Sequence, residues 1–173
     1  MMEEATDVMP VLHEPHSVVR AIHSALHDGN LESEELLQTI AALASGEMWE
    51  QLWNVADALS REVSVLFDRE GRIWVDIGTA GQVRLNPPVG SVIPFSLWIH
   101  THPWDAYWSP TDLATLAAYS GILDEAIVLG HDHMKRARKG EGECERLGPE
   151  PPLSVWTSEP VRTYSEEGAE DER

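Results

Sequence analysis

The hydrophobic pattern changes its period near residue 60, and this change constrains the fold more than any other feature of the chain. Before it, apolar residues recur three and four positions apart, which predicts amphipathic helices over residues 15–27, 33–44 and 47–60. After it, short runs rich in Val, Ile and Trp are separated by turn residues, which predicts strands. The order of these patterns along the chain predicts three helices followed by a sheet.

The segments after residue 60 predict a sheet with one crossing helix. "EVSVLF" and "RIWVDIG" flank the turn "DREG" and predict a hairpin. Further strands are predicted at "GQVRL", "FSLWIHTH" and "EAIVLG", and edge strands at "LSVWTS" and "PVRTYS". Pro110 suits the first position of a helix that ends at Gly121. These elements predict a fold of the α/β (α+β) class.

The charge of the chain limits its partners. Acidic residues number 30 against 12 basic ones, for a net charge of −18, and only two of the basic residues are lysines. A strongly acidic, lysine-poor surface stays hydrated in concentrated salt, so we expect a halophilic host. Nucleic acid is disfavoured as a partner, because duplex binding needs a basic stripe and the only basic run is "KRARK" at 135–139.

The single cysteine, Cys144, excludes an internal disulfide. The sequence has no apolar run long enough to span a membrane and no signal-peptide pattern at its start. We therefore expect a soluble cytoplasmic protein with no membrane partner.

The stretch "IHTHPWDAYWSPTD", residues 99–112, carries the strongest chemical signal. Side chains alternate along a strand, so His100 and His102 project from one face and Pro103 ends the strand beside them. Asp112 has a structural interpretation, since Ser109 and Asp112 are spaced as a capping box. It also has a chemical one, because two histidines and a carboxylate leave one tetrahedral position open, as in a catalytic zinc site.

A site of this kind needs a general base, and Glu62 is the best candidate. It begins the apolar run of the first strand, where burial of a carboxylate costs free energy unless the group is used or solvated. A solvated strand start or a helix cap explains Glu62 equally well from residue type alone. Glu47 and Glu70 are the next candidates for the base.

Glu, then His-x-His-Pro, then Ser-x-x-Asp resembles the JAMM motif of the JAB/MPN (MPN+) zinc metalloproteases, and "REVSVLFDREGRI" resembles their RadC branch. The resemblance covers about residues 47–135. It implies a JAB/MPN-like mixed sheet flanked by helices, and cleavage of isopeptide bonds between protein lysines and a ubiquitin-like modifier. It implies a general base at Glu62, an oxyanion-stabilising hydroxyl at Ser109, and Zn²⁺ ligands at His100, His102 and Asp112.

One departure from the family concerns the loop before Ser109. Six residues separate His102 from Ser109, where the family usually has seven. This shorter loop bears on the placement of Ser109 more than on the ligands. Two other functions remain open: a non-catalytic or nucleic-acid-associated RadC-like member, and a zinc hydrolase of small molecules or short peptides.

The domain organisation follows from the same patterns. We expect an N-terminal helical extension of unknown role over residues 1–45, beginning with a loose lead over residues 1–14. The JAB/MPN-like metalloprotease domain is expected over 46–163 and an acidic disordered tail over 164–173.

Other histidines and aromatic residues have two interpretations each. His131 and His133 repeat the His-x-His spacing, which fits a second metal site, a solvated strand end, or a position for His131 at a cleft rim. His23 and His27 have a metal-compatible helical spacing, but a solvated helix face explains them better. The aromatics of the loop before Ser109 fit either the core or a wall that receives an extended peptide tail; they are Trp104, Tyr107 and Trp108.

Overall fold

A computed structural model of the chain describes residues 6–10, 15–78, 87–140 and 143–166. Four α-helices and one 3-10 turn lie in these ranges: α1 (Pro15–Asp28), α2 (Glu34–Ser45), α3 (Trp49–Leu59), α4 (Pro110–Ala118) and η1 (Leu153–Val155). The strands are β1 (Thr6–Asp7), β2 (Val63–Phe67), β3 (Ile73–Ile77), β4 (Leu97–Thr101), β5 (Glu125–Leu129), β6 (His133–Lys139), β7 (Glu145–Arg146), β8 (Trp156–Ser158) and β9 (Arg162–Thr163).

The three N-terminal helices are confirmed, and their ends differ by at most two residues from the prediction. The side chain of Ser33 caps α2 by accepting a hydrogen bond from the Leu36 amide. The C-cap of α3 is Ser60, which has a left-handed backbone conformation with φ of 54°. That turn directs the chain from α3 into the sheet, immediately before Glu62.

The strands form one mixed sheet in the order β1-β3-β2-β4-β5-β6-β8-β7, with β9 also paired to β6. The neighbours β2, β3 and β4 are antiparallel, whereas β4 and β5 are parallel and joined through α4. The predicted α/β (α+β) class, a mixed sheet with helices on it, is confirmed.

Each face of the sheet has its own hydrophobic core. Helices α1, α2 and α3 share one cluster with Val65, Ile99 and Ile127 of the sheet. On the other face, Leu116 of α4 packs in a second cluster with Trp98 and other residues. The alternation along β4 thus sends Ile99 towards the three helices and Trp98 towards α4. The domain boundary at residue 45 stays a prediction, although α1 and α2 share a core with the sheet.

The basic run "KRARK" forms most of β6, a strand that the sequence pattern did not predict. Only Met134 and Ala137 of this strand are buried. Three of its four cations contact carboxylates of the chain, since Arg136 and Arg138 both contact Glu125 and Lys139 contacts Asp124. This basic run is therefore part of the sheet and is paired with carboxylates of the same chain.

Other predicted segments have different outcomes. Residues 6–7, expected in a loose lead, pair with β3 as a short strand. The predicted strand "GQVRL" and most of the predicted acidic tail lie outside the described residues. Within the described ranges, no helix is long and apolar enough to cross a membrane.

Candidate metal centre

The two motif histidines lie at the C-terminal end of β4, on the face that α4 covers. Ser64 of β2 is the register partner of His100, and the His102 amide donates to the carbonyl of Leu129, so both neighbouring strands fix this end of β4. The indole of Trp98 stacks on the His100 imidazole at 4.1 Å with an interplanar angle of 13°. The position of His100 is therefore set by both backbone and side-chain contacts.

Asp112 reaches the histidines from the first turn of α4. Its amide donates to Ser109 Oγ at 3.1 Å, and its Oδ2 accepts from the Ser109 amide at 2.9 Å. This is the predicted capping box. Because the cap orients the Asp112 carboxylate towards β4, the structural and chemical interpretations of this residue are compatible.

The three side chains meet in a small, buried group. Asp112 Oδ1 lies 3.1 Å from His100 Nε2, and Asp112 Oδ2 lies 3.0 Å from His102 Nε2. The side chains are nearly enclosed, with residue exposures of 4% for His100, 7% for His102 and 6% for Asp112. One ligand atom from each lies within 4.8 Å of the others, so the group could bind a metal ion.

The donor set fits a tetrahedral metal such as zinc. Two ligands held about 2.0 Å from a tetrahedral ion are roughly 3.3 Å apart, close to the two nitrogen–oxygen distances observed. His100 supplies a second test of fit, since no described residue makes an aligned hydrogen bond to either of its buried ring nitrogens. Its Nε2 lies 3.1 Å from Asp112 Oδ1, without the alignment of a hydrogen bond. A metal ion would give this buried nitrogen a partner.

The protonation states also suit metal binding. Burial lowers the pKa of His100 and so favours the neutral imidazole, which is the form that binds a metal. Burial alone would raise the pKa of Asp112, but the adjacent imidazoles of His100 and His102 outweigh it and hold that pKa well below its usual range. The group therefore offers a neutral imidazole at His100 and an ionised carboxylate at Asp112, with the His102 imidazole beside them.

Glu62 lies beside this group. The register of β2 and β4 ends with Ser64 paired to His100. Extended by two residues, this register brings Glu62 opposite His102, on the same face of the sheet. Glu62 is half-buried, and its pKa is raised by burial and by the charge of Asp112, against an opposing effect of His102. Glu70, an alternative base, lies in the turn at the other end of β2.

The Ser109 hydroxyl accepts one hydrogen bond and still has its own proton to donate. Its Oγ accepts the amide proton of Asp112, which is the capping role. Among the described residues, none accepts a hydrogen bond from this hydroxyl, so the hydroxyl can still donate one. The cap therefore does not exclude a second role for Ser109.

A cleft of about 210 Å³ opens next to His102 and Glu62. Its walls come from the C-terminal half of α3, the ends of β2 and β4, and the first residues of the following loop; they are Trp53, Ala56, Asp57, Ser60, Arg61, Glu62, Thr101, His102, Pro103 and Trp104. Trp53 also donates its indole N–H to the His102 carbonyl at 2.8 Å. Sequence reasoning missed Trp53, since a buried Trp on an amphipathic helix is indistinguishable there from any core residue.

The three loop aromatics have different environments. Trp104 is 69% exposed at the cleft, and Tyr107 is 53% exposed while its ring meets the His102 ring edge-on at 4.7 Å. Trp108 is anchored, because its indole N–H donates to Ser158 Oγ at 3.0 Å. Trp104 is therefore the loop aromatic placed to contact a ligand in the cleft.

The other histidines that the structure describes do not form a second group of this kind. In the described part of the chain, His100, His102 and Asp112 are the one set of three or more potential ligands close enough to share an ion. His133 accepts a hydrogen bond from the Ala106 amide, and His131 packs against the rings of Trp53 and Trp104. His23 and His27 lie exposed on α1.

Comparisons with family models, with curated proteins and with solved structures gave no significant match to this chain.

Proposed function

We propose that the protein is a zinc-dependent metallo-isopeptidase that hydrolyses isopeptide or peptide bonds to a ubiquitin-like modifier. The observation that carries the proposal is the buried group of His100, His102 and Asp112 beside Glu62. A metal site with three protein ligands and a neighbouring carboxylate has the composition of a hydrolytic centre.

Zinc is the proposed ion because imidazole nitrogens and one carboxylate are ligands that it accepts in catalytic sites. When bound, zinc supplies Lewis-acid polarisation of a carbonyl and lowers the pKa of a coordinated water to about 7. With three protein ligands, a tetrahedral ion would keep one position for water or substrate. The cleft beside His102 gives access from the surface to that side of the group.

Glu62 is the proposed general base. Its raised pKa suits a group that accepts a proton from water and then transfers it to the leaving amine. For an isopeptide bond, that amine is the side chain of a lysine. Ser109 is the proposed oxyanion donor, since its hydroxyl proton is not used in the helix cap.

The substrate class is proposed from the JAMM-like order of Glu62, the histidine pair, Ser109 and Asp112. The cleft supports an extended segment as ligand, because its walls include both the exposed Trp104 and the site residues His102 and Glu62. Its small volume also fits a short peptide, which is the alternative substrate. A non-catalytic role is less well supported, since the proposed ligands, base and oxyanion residue are all present.

The test compares two substrates that share a sequence. One is a ubiquitin-like modifier joined to the lysine of a target peptide, and the other is a short peptide with the same residues around the bond. We expect the zinc-loaded protein to cleave the first substrate faster, and a chelator to stop the reaction. Equal cleavage of both would support the short-peptide alternative, and cleavage of neither would contradict the proposal.

A matched pair of variants assigns any activity to the site. His100→Ala/His102→Ala removes two proposed ligands, whereas His23→Ala/His27→Ala removes two exposed histidines from α1. We expect the first double variant to lose activity and the second to keep it. Activity that survives in the first variant would place the reaction elsewhere on the protein.

A further inference from the structure

The loop over residues 103–108 connects the end of β4 to α4 and is held at every second residue. The Trp104 carbonyl accepts the His131 amide at 2.7 Å, and the Ala106 amide donates to His133 Nε2 at 2.9 Å. The third anchor is the Trp108 indole on Ser158. Two of these three contacts come from the β5–β6 turn, defined here as residues 130–132 with His133, the first residue of β6.

His133 has a defined role in this contact. Because Nε2 accepts the Ala106 proton, the ring proton must lie on Nδ1, which is 2.7 Å from Asp132 Oδ1. The imidazole therefore links the Asp132 carboxylate to the loop backbone. Its side chain is 17% exposed, so the bond to Ala106 is largely shielded from solvent.

Gly130 shows how closely the turn and the loop approach each other. A Cβ atom at this position would lie 2.7 Å from the Ala106 nitrogen and 2.7 Å from the Trp104 oxygen, both backbone atoms. Tyr164 holds the same turn from the other side, since its hydroxyl donates to the Gly130 carbonyl at 2.6 Å. The loop and the turn are thus in direct backbone contact.

Both ends of the loop carry proposed metal ligands. His102 immediately precedes it, and the capping box of Ser109 and Asp112 immediately follows it. Of the six residues between His102 and Ser109, three are held by the contacts described above, so the loop is restrained along its length. A shift of its middle residue, Ala106, would therefore be transmitted to the separation of His102 and Asp112.

We propose that His133 is a positioning residue that holds the loop 103–108 against the β5–β6 turn and thereby sets the geometry of His102 and Asp112. Its effect on catalysis rests on the proposed function, whereas its effect on metal affinity rests only on the ligand group. Residues that orient metal ligands from outside typically contribute about 10- to 100-fold to metal affinity or activity.

The first test replaces His133 in two ways. His133→Leu removes the acceptor for the Ala106 amide, whereas His133→Gln keeps an acceptor oxygen at a similar reach. Zn²⁺ affinity is measured by competition with a chromophoric chelator, and the site geometry by the visible spectrum of the Co²⁺-loaded protein. We expect about 10- to 100-fold weaker Zn²⁺ binding and an altered Co²⁺ spectrum in His133→Leu, with substantial recovery in His133→Gln.

The second test moves the loop without touching a histidine. Gly130→Ala forces a Cβ atom into the loop backbone, and Gly121→Ala is its control, because no heavy atom would lie within 4 Å of a Cβ there. We expect Gly130→Ala to lower Zn²⁺ affinity and kcat with little change in KM, and Gly121→Ala to leave all three unchanged.

The possible outcomes separate this inference from the proposed function. If the parent binds Zn²⁺ and both His133→Leu and Gly130→Ala bind it equally well with the parent's Co²⁺ spectrum, His133 does not position the ligands. If the Zn²⁺ effects appear as expected but the parent cleaves no isopeptide, the positioning role stands and the proposed function fails.

Discussion

Asp112 uses the same carboxylate to complete a helix cap and to approach two histidines. Oδ2 accepts the Ser109 amide and also lies 3.0 Å from His102, while Oδ1 lies 3.1 Å from His100. The helix start and the ligand group are therefore one structure. Any change at Ser109 or Asp112 acts on folding and on the site together, and residue-level tests must separate the two effects.

Glu62→Gln separates the proposed base from the proposed ligands. The amide keeps the size of the side chain but cannot accept the proton, so we expect intact zinc content and fold with a turnover lower by about 10²- to 10⁴-fold. Steady-state kinetics with metal analysis measure both quantities. Turnover near that of the parent protein would move the base elsewhere.

The raised pKa of Glu62 also predicts the acid side of the pH profile. The base must be ionised, and burial shifts its ionisation upwards from the ordinary carboxyl range. Activity should therefore fall as the pH decreases through the Glu62 pKa, which a bound cation would lower from its metal-free value. If Glu62→Gln keeps an acid limb at the same pH and with the same amplitude, this limb belongs to the titration of another group.

Ser109→Gly separates the cap from the oxyanion donor. Gly is a tolerable N-cap but has no hydroxyl, so stability should change by only a few tenths of a kcal/mol. If the hydroxyl donates to the oxyanion, kcat should fall by about 10²- to 10³-fold. Ser109→Ala adds the loss of the cap, about 0.5–2 kcal/mol of unfolding free energy. An unchanged kcat in Ser109→Gly would leave Ser109 with the capping role alone.

At the scale of elements, α4 carries Asp112 and packs on the sheet through one fully buried apolar side chain. Leu116 is its fully buried apolar residue, in the cluster with Trp98 and Trp156. Leu116→Ala should lower the unfolding free energy by about 2–5 kcal/mol, because it removes buried methyl groups and leaves a cavity. Chemical denaturation measures the change.

Leu26→Ala is the matched control for this prediction, since Leu26 on α1 is 48% exposed. A surface substitution of this kind should change stability by about 0.5 kcal/mol or less. A similar loss in both variants would mean that the cost comes from the loss of Leu itself and not from the α4 core.

The elements differ in how far the sequence alone could predict them. The helices and the alternation of β4 were predictable, because their apolar residues follow one period and Pro110 and Ser109 mark a helix start. Strand β6 was not, because only Met134 and Ala137 are buried and two of its arginines contact the Glu125 carboxylate on β5. That carboxylate is distant in sequence, so local patterns carry no sign of it.

The same distinction applies to the site. Strand alternation predicted that the histidines share a face of the sheet. The capping-box spacing predicted that Asp112 lies in the first turn of α4. The position of Glu62 opposite His102 depends on the register of two strands far apart in the chain. The contact of His133 with Ala106 depends on the packing of a turn against a loop. Neither contact has a local sequence signature.

At the scale of the whole molecule, the charge is the dominant property. Carboxylates outnumber cations by 30 to 12, and several of the cations are already paired with carboxylates inside the sheet. The remaining acidic surface repels itself in dilute buffer, where the screening length is long. We predict that the melting temperature rises steeply between low and molar KCl.

An equimolar series in a neutral osmolyte such as sucrose controls for general stabilisation. The charge interpretation requires KCl to act more strongly than the osmolyte, with most of its effect while the screening length falls from about 10 Å at 0.1 M to about 3 Å at 1 M. A flat KCl profile would remove the halophile interpretation and would leave the metal centre unaffected.

The most direct test of the metal centre is the zinc content of the purified protein and of two double variants. After loading and removal of excess ion, the parent and His23→Ala/His27→Ala should each hold about one zinc per chain, as expected for a site with three protein ligands. His100→Ala/His102→Ala should hold almost none while keeping its helical circular dichroism. One tightly bound zinc in the folded His100→Ala/His102→Ala protein would contradict the central claim.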